Sequence, residues 1–389
     1  MFGRKTVAFA LGVLLVLSVA ACSGADDNHG QPALSAGSGN PRDLRGVCPD
    51  PVVIQTDWNP ESEYGALYQL VGPDYVVDSK KFTVTGPLVT AGVDTGVKVQ
   101  VRAGGPAIGF QQVSQQMYLD KDIMLGQINT DEAIRFSRSQ PTLGVVSPLE
   151  VSPFMIMWDP ATYPQFNTIT DIGQTNTKVL YYKGDTYMEY LTGTGILRKS
   201  QIDGGYDGTP ARFVSEKGRI AQAGFATSEP YIYRYEIPQW GKPVEIALVG
   251  DMGYPIYPQV LSIRANEKNR LAPCLRKLVP ILQQAQIDFI NKPEETNRLI
   301  LELVHKYNNG WQYSTGLANF AITQMKALGI VDNGPNRTLG DFDVSRVQRL
   351  IDITTPIFRA QKTVIRDGIR PQDIATNEFI APAVGLTSH

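Results

Sequence analysis

The chain has 389 residues and a formal net charge of −2, and 42% of its residues are hydrophobic and 19% charged. This composition is ordinary for a soluble globular protein, and the length is sufficient for two lobes of typical domain size. There is no basic run and no Lys/Arg stripe interleaved with aromatic residues, so nucleic acid is not an expected partner.

The N-terminus has the pattern of an export signal. Arg4 and Lys5 precede an uncharged apolar run over residues 7–21, which ends in the small residues of SVAAC. The run is too short to span a hydrocarbon core of about 30 Å comfortably. Because Cys22 directly follows small residues, the segment resembles a bacterial lipobox, in which this cysteine is acylated and becomes the new N-terminus. An ordinary signal peptide with an incidental cysteine is the alternative.

The region after Cys22 predicts a tether and, beyond it, a disulfide. Residues 23–45 lack apolar periodicity and are typical of a disordered segment. If Cys22 holds lipid, Cys48 and Cys274 remain as an even pair in an oxidising compartment, which favours a disulfide between them. Two buried thiols are the alternative.

Strand and helix signals then alternate from Val52 to about Ser147. Strands separated by helical crossovers predict an α/β fold with a parallel sheet and helices on both faces. The segments are, in chain order, VVIQTDW, PESEYGALYQLVG, GVKVQVRAGG, GFQQVSQQMYLD, DIMLGQI, TDEAIRFSRSQ and TLGVVSPL.

A second α/β block follows, from PFMIMWD to PVEIALVGDM, and after it the strand-like segment QVLSIRAN. From Arg270 onward the chain is predicted to be mostly helical. One α/β block therefore interrupts another, and a helical tail follows both.

Few residues suit bond-making chemistry. The histidines, His29, His305 and His389, have no metal-ligand spacing, and there is no HExxH or CxxC motif. Hydrolytic or zinc chemistry is therefore not expected, and no cofactor is predicted. The adjacent acids Asp131 and Glu132 are either a functional pair or the first turn of a helix, where acids complement the macrodipole.

Four segments resemble the substrate-binding proteins of ABC importers. The stretch DWNPESEYGALY, from Asp57 to Tyr68, is similar to the DW.PN..H..LY opening of the thiamine-precursor (hydroxymethylpyrimidine-type) members. The segments DIMLGQINTDEAIR and FATSEPYIY, and a tail that includes TLGDFDVSRVQRLI, resemble the wider family of taurine, alkanesulfonate and nitrate receptors. The resemblance covers residues 52–382.

The resemblance implies a periplasmic-binding-protein-like (type II) Venus flytrap with two hinge crossovers. Lobe 1 would comprise residues 46–157 and 258–389, and lobe 2 residues 158–257. A disulfide between Cys48 and Cys274 would then lie within lobe 1 and leave the hinge free. We also expect a monomer, anchored by lipid to the outer face of the bacterial cytoplasmic membrane, that delivers a ligand to an ABC permease.

Strand ends locate the candidate binding residues. In open parallel sheets, ligands bind beyond the carboxyl ends of strands, so residues just after each strand are expected to face the crevice. These candidates are Trp58, Glu61, Glu63 and Tyr64, then Gly104 and Gly105, then Asn129, Thr130 and Asp131, and in lobe 2 Asp185, Tyr187, Glu229 and Tyr231.

The chemistry of the first group favours a flat, nitrogen-rich ligand. Trp58 offers a π face, and a carboxylate accepts paired N–H contacts from an aminopyrimidine edge. Where the thiamine-precursor pattern carries Asn and His, this chain carries Glu61, Glu63 and Tyr64. The expected pocket is therefore more acidic, which favours cationic or neutral heterocycles over sulfonate and nitrate. Trp58 as a core residue and the two glutamates as a solvated helical turn are the structural alternatives.

Three other functions remain open from the sequence. A receptor for taurine, alkanesulfonate or nitrate shares the family resemblance. A pyrimidine synthase shares the fold, but this chain lacks the cluster of cysteines and the histidines of those enzymes. A surface sensor or adhesion lipoprotein would use the same trap.

Overall fold

The computed structural model describes residues 34–35 and 40–387, all within the unit Ala33–His389. The predicted signal peptide and the predicted lipidation site, Cys22, lie outside the described residues. So does most of the predicted tether. No helix in the described part of the chain combines the length and the apolar character needed to cross a membrane.

The strands of the described residues form two sheets. They are β1 (Leu34–Ser35), β2 (Val52–Gln55), β3 (Val76–Asp78), β4 (Thr83–Thr90), β5 (Val93–Arg102), β6 (Leu125–Ile128), β7 (Thr142–Val146), β8 (Phe154–Trp158), β9 (Val179–Leu180), β10 (Ile202–Asp203), β11 (Ala221–Phe225), β12 (Glu245–Leu248) and β13 (Val260–Arg264). The larger sheet has the order β3-β4-β5-β2-β6-β13-β7, with β1 paired to β5, and the smaller sheet has the order β10-β9-β11-β8-β12.

The larger sheet is mixed, so the prediction of a parallel sheet was wrong in part. Strand β2 pairs in parallel with β5 and β6, as the alternating signals predicted. Strands β3, β4 and β5 instead pair antiparallel, and β4 and β5 are joined by a tight turn in which Ala91 and Gly92 have positive φ. Strand β13 inserts antiparallel between β6 and β7. The crossover rule accounts only for strands joined by helices, and β4 enters β5 through a hairpin.

The helices cover both sheets and dominate the C-terminal part, as predicted. The α-helices of the described residues are α1 (Gly65–Tyr68), α2 (Val113–Leu119), α3 (Thr130–Arg135), α4 (Ile169–Gly173), α5 (Tyr187–Gly193), α6 (Ala211–Ser215), α7 (Glu229–Tyr231), α8 (Lys268–Asn291), α9 (Glu294–Tyr307), α10 (Thr315–Ala327) and α11 (Val344–Ala360).

The central strands are rich in apolar residues because both of their faces are covered. Every residue of β7, β8 and β13 is buried. Strands covered on both faces lose the alternation of polar and apolar residues that marks a solvent-facing sheet.

The chain passes between the two sheets twice. The first crossover lies between β7 and β8, and the second lies between β12 and β13. The predicted boundary between residues 157 and 158 falls inside β8, whose five residues all pair within the smaller sheet. A boundary before Phe154 therefore fits the strand pairing better.

The disulfide between Cys48 and Cys274 is present and confirms that prediction. The bond joins residues 226 positions apart, just before β2 and within α8. Cys274 is fully buried in the core on the larger-sheet side. The bond therefore ties the start of the first buried strand to a long helix of the C-terminal part.

Arg346 on α11 ties the two crossovers together. Its guanidinium donates to Glu150 Oε1 at 2.7 Å in the first crossover, and to the carbonyl oxygen of Pro255 at 3.0 Å in the second. The same group lies 3.7 Å from the centre of the Tyr257 ring. One side chain therefore holds both connecting segments against one helix.

Replacing Arg346 with alanine should lower the free energy of unfolding by about 2 kcal/mol, since a hydrogen bond to a charged group contributes roughly 1.5–3 kcal/mol. Urea unfolding followed by tryptophan fluorescence measures this change. The matched control is Arg349→Ala on the same helix, where the side chain is exposed and donates to Ser345 Oγ at 3.2 Å. Equal stability of the two variants would contradict the role given to Arg346.

Candidate ligand-binding site

A cavity of about 160 Å³ lies between the two sheets. Its wall on the larger-sheet side comes from segments that follow β2, β5 and β6, and its wall on the smaller-sheet side comes from segments that follow β9 and β11. Residues beyond the carboxyl ends of strands therefore line it, as expected for an open α/β sheet.

The segment after β2 supplies one wall. Asp57, Trp58, Glu61 and Tyr64 line the cavity, and only 3% of Glu61 and 1% of Tyr64 are exposed. A short 3-10 helix and α1 hold these residues in place. At Gly65 the Phe289 ring of α8 comes so close that a Cβ would lie 2.1 Å from it, so only glycine permits this packing.

An aromatic cluster surrounds Trp58. Its ring centre lies 5.9 Å from that of Phe110, 6.0 Å from Tyr182 and 6.1 Å from Trp311. The indole packs against the backbone at Gly105. A Cβ at this position would lie 2.7 Å from the ring, so a larger residue would displace it. Phe110 is 41% exposed, so the cluster reaches from the cavity to the protein surface.

The aromatic cluster also joins the two sides of the cavity. The Tyr182 hydroxyl, on the smaller-sheet side, donates to the carbonyl oxygen of Phe110 at 2.7 Å. Farther inside, Arg135 on α3 pairs with Glu189 on α5 at 2.5 Å. The two walls are therefore in direct contact around the cavity.

Six carboxyl groups line the cavity: Asp57, Glu61, Asp131, Glu132, Asp185 and Glu229. No lysine, arginine or histidine is found among the described residues of the lining. The cavity therefore brings together many acids and many rings without a basic residue.

Four of these carboxyls accept hydrogen bonds from the protein itself. Glu229 receives two, from the Phe225 backbone N–H at 2.6 Å and from the Tyr206 hydroxyl at 3.1 Å. Asp131 also receives two, from the Glu132 backbone N–H at 2.8 Å and from the Tyr254 hydroxyl at 2.9 Å. Hydroxyl groups donate to the remaining two carboxyls, Ser114 to Glu132 at 2.8 Å and Tyr187 to Asp185 at 2.9 Å.

Burial raises the pKa values of these acids because the low-dielectric surroundings disfavour the charged form. The pKa of Asp57 rises to about 6 and that of Glu229 to about 7. The pKa of Glu61 is raised well above its usual value, first by burial and then by the nearby carboxyls of Glu63, Asp57 and Glu229. Among the described residues, the Tyr64 hydroxyl opposes this rise in the pKa of Glu61, and no positive group does.

The acids near α3 behave in the same way. Burial raises the pKa of Asp131 to about 6 and that of Glu132 to about 8. The pKa of Asp185 rises to about 7, through burial and through the charges of Asp131 and Asp57. Near neutral pH the cavity therefore holds both protonated and ionised carboxyls.

Most of the residues predicted for the site line the cavity. They are Trp58, Glu61, Tyr64, Gly105, Asn129, Asp131, Asp185, Tyr187 and Glu229. Their roles in binding stay predictions.

Four predicted residues lie outside the lining for structural reasons. Gly104 packs on the backbone of Thr56, where a Cβ would meet the carbonyl oxygen at 2.2 Å, and Tyr231 packs against Phe320 at 5.5 Å. Thr130 Oγ1 accepts from the Tyr257 backbone N–H at 3.0 Å, which ties α3 to the second crossover.

The fourth residue outside the lining is Glu63. Its side chain is 1% exposed, and its charge acts on Glu61 and Glu229 from behind the cavity wall. Its position explains why both glutamates of the first stretch affect the cavity although only Glu61 faces it.

Sequence reasoning missed several lining residues. Asp57 and Tyr182 follow β2 and β9 directly, so the strand-end rule alone could have included them. Tyr206 follows β10, a two-residue strand that the sequence did not predict, and Trp311 lies on the loop between α9 and α10. They reach the cavity only because the fold brings those segments to its edge.

No protein-family model and no curated protein matches this sequence. Solved structures do match. A protein of Bordetella bronchiseptica RB50 has a TM-score of 0.53 and 12% identity, covering 85% of this chain and 96% of that chain. The ligand-binding component of an ABC-type import system from Staphylococcus aureus, solved with zinc bound, has a TM-score of 0.49 and 12% identity, covering 84% and 97%. A Candida albicans protein with the generic periplasmic binding protein fold has a TM-score of 0.48 and 10% identity, covering 86% and 98%.

At 12% identity the likeness to the Bordetella protein concerns the fold alone. The two mixed α/β sheets and the two crossovers between them define a periplasmic-binding-protein-like fold. The fold class predicted from the sequence is therefore confirmed.

Proposed function

We propose that this protein is the solute-binding protein of an ABC importer. It captures a small, flat, nitrogen-rich heterocycle, similar to the pyrimidine precursor of thiamine, and performs no bond chemistry. The observation that carries this proposal is the cavity between the two sheets, in which Trp58 and six carboxyls face the same space.

The size of the cavity suits a single ring. Its volume of about 160 Å³ is close to that of an engineered cavity of roughly 150 Å³ that accepts benzene. A ring stacked on an indole gains roughly 0.5–1.5 kcal/mol beyond the area that it buries. Carboxyl oxygens around that ring accept its N–H groups.

Binding between two walls also suits transport. In the proposed cycle, the lobes around the two sheets open at the two crossovers and close on the ligand, and the closed form docks on a membrane permease. The lobes in this proposal are residues 46–157 with 258–389, and residues 158–257, and a boundary before Phe154 would keep β8 in one lobe. Export and a lipid anchor on Cys22 would keep the protein beside that permease.

A receptor for taurine, alkanesulfonate or nitrate is less compatible with this cavity. An anion requires donors, and the described lining holds carboxyls without a basic side chain. A pyrimidine synthase would require the cysteines and histidines that the lining also lacks.

A thermal-shift screen tests the proposed function. Thiamine, its pyrimidine precursors, polyamines, taurine, alkanesulfonates and nitrate are added to the chain expressed without its predicted signal peptide and with Cys22→Ser. A ligand at a hundred times its dissociation constant adds about 2.7 kcal/mol of stability. We expect the hit among the nitrogen heterocycles, and a hit among the sulfonates or nitrate would overturn the choice of ligand.

Trp58→Ala should weaken binding of that ligand about tenfold in calorimetry, because the loss of one stacking face costs roughly 1–2 kcal/mol. The control is Tyr235→Ala, which removes an aromatic side chain that is 61% exposed and lies outside the cavity lining. Unchanged affinity in the Trp58 variant would contradict a binding site in this cavity.

A further inference from the structure

We propose that the ligand carries a positively charged nitrogen with N–H donors, and that Asp57 and Glu61 bind this group with Tyr64 as a third partner. This inference rests on the proposed function, because it concerns the same cavity, and it defines the charge of the ligand and the residues that recognise it.

The first step is the imbalance of charge. Asp57, Glu61, Asp131 and Glu132 face the cavity from the larger-sheet side, and Asp185 and Glu229 face it from the smaller-sheet side. Their basic neighbour on α3, Arg135, is paired with Glu189 outside the lining. Within the described lining, the protein therefore supplies no cation to these six groups.

The second step is the distribution of donors. Four of the six carboxyls accept well-formed hydrogen bonds from protein groups, as described above. No donor of the described chain makes a hydrogen bond of normal geometry to the carboxyl of Asp57, and Oδ1 of Asp57 is buried without a partner. The Tyr64 hydroxyl approaches both Asp57 and Glu61 and lowers their pKa values, but it is not well aligned with either.

The third step is a pair of buried hydroxyl groups that face the same space. Tyr64 and Ser228 line the cavity, and they are 1% and 5% exposed. In the described structure neither hydroxyl has a well-formed hydrogen bond. Because buried polar groups in proteins are almost always hydrogen-bonded, these hydroxyls indicate polar atoms of a ligand in this cavity.

The fourth step is the choice between a neutral donor and a cation. A neutral N–H group satisfies a carboxyl oxygen but leaves the repulsion among neighbouring acids in place. A cation satisfies the oxygen and also stabilises the ionised forms of the groups around it. The face of Trp58, which lines the same cavity, favours a cation further, because the ring quadrupole attracts positive charge.

Three probes of nearly equal shape separate these cases: benzamidine, which is a cation, benzamide, which is neutral, and benzoate, which is an anion. We expect calorimetry at pH 7.5 to give an affinity for benzamidine at least tenfold above that for benzamide, and no binding of benzoate. Equal affinity for benzamidine and benzamide, preference for benzoate, or no binding of benzamidine would overturn the inference.

The variants Asp57→Asn and Glu61→Gln test whether these two residues bind the positively charged group. Each should lower the affinity for benzamidine at least tenfold and leave that for benzamide within a factor of three. The control is Glu245→Gln, an exposed acid outside the cavity lining. Unchanged benzamidine affinity in both cavity variants would overturn the assignment.

Stability without added probe distinguishes a binding role from a structural one. If Asp57 and Glu61 serve ligand binding and not the fold, the two amide variants remove buried like-charge repulsion. Their melting temperatures at pH 8 should then exceed that of the unmodified protein. If both residues serve the fold, the variants should melt at lower temperature, and the inference is then wrong.

The pH dependence provides a further readout. Benzamidine stays protonated between pH 5 and pH 8, whereas Asp57 and Glu61 must ionise to bind it. Glu61 faces Asp57, Glu63, Glu229 and Tyr64. Asp57 faces Tyr64 and also acts on Glu132, Asp185 and Tyr182. Affinity should therefore rise across this range with release of protons, and a flat profile would count against the inference.

The two proposals fail differently. If a neutral heterocycle binds in a Trp58-dependent manner and benzamidine has no advantage, the solute-binding function stands and the positive charge is wrong. If neither heterocycles nor probes depend on Trp58, the proposed binding site itself is wrong.

Discussion

In the absence of ligand, the free energy of unfolding should fall by several kcal/mol between pH 5 and pH 8. The acids of the cavity have raised pKa values in the folded protein, about 6 for Asp57 and Asp131, 7 for Asp185 and Glu229, and 8 for Glu132. In the unfolded chain these groups ionise near pH 4. Over the interval the folded state therefore binds more protons than the unfolded state, and stability decreases as pH rises.

The direction in which stability changes with pH distinguishes the cavity acids from ordinary surface acids. A raised carboxyl pKa contributes stability that is complete below the unfolded value and is lost as pH passes the folded value. The pKa of Asp43, beside Arg45, is lowered to about 2, so this group loses its contribution only in more acidic solution. One pKa unit corresponds to about 1.4 kcal/mol, so several groups shifted by two or more units dominate the range from pH 5 to pH 8.

Urea unfolding at closely spaced pH values measures this profile. Glu132→Gln should flatten its upper end, because the group with a pKa of about 8 is removed. The exposed Glu245→Gln should leave the profile unchanged. If the stability of the unmodified protein rises from pH 5 to pH 8, the pKa values of the cavity acids are not raised together.

Replacing both Cys48 and Cys274 with alanine should lower the free energy of unfolding by about 4 kcal/mol. The disulfide closes a loop of residues 226 positions apart, and cross-linking so long a loop removes much conformational entropy from the unfolded chain. Cys274 is also fully buried, so its sulfur contributes packing in the core. Denaturant unfolding under non-reducing conditions measures the difference.

The control for the disulfide is the unmodified protein after reduction, which should approach the stability of the double variant. Ligand affinity should change little, because neither cysteine belongs to the cavity lining. A double variant as stable as the oxidised protein would contradict the stabilising role of the bond.

The cavity acids suggest a relation between stability and capture. Groups such as Glu61 and Asp57 are unfavourable where they lie, because they are buried near other acids in a cavity whose described lining holds no basic side chain. A cationic ligand would relieve that cost on binding between the walls. Ligand capture and closure of the two walls would then be linked through the same charges.

The hydrophobic pattern of the sequence was sufficient to predict most of the buried strands, through their apolar runs, but not how all of them pair. The two crossovers were implied by the family resemblance, and the interruption of one α/β block by another agrees with them. The antiparallel hairpin of β4 and β5 was missed because the segment before β5 was not recognised as a strand. Hairpin pairing depends on a turn at Ala91 and Gly92 rather than on hydrophobic periodicity.

The candidate site was predicted where it follows strand ends. Trp58, Glu61 and Asp131 were found by that rule, whereas Thr130 and Tyr231 satisfy it and yet point into structural contacts. The rule places a residue at the correct edge of a sheet. It does not determine which way the side chain turns.

By itself the sequence determined the order of most strands and helices, the even pair of cysteines and the acidic character of the stretch from Asp57 to Tyr64, because each is a property of neighbouring residues or of composition. Only the tertiary structure decided that Asp57, Glu132, Asp185 and Glu229 share one cavity without a basic side chain in its described lining. The physical reason is that their proximity arises from two sheets meeting across two crossovers, and contacts between segments so far apart in the chain leave no trace in local periodicity.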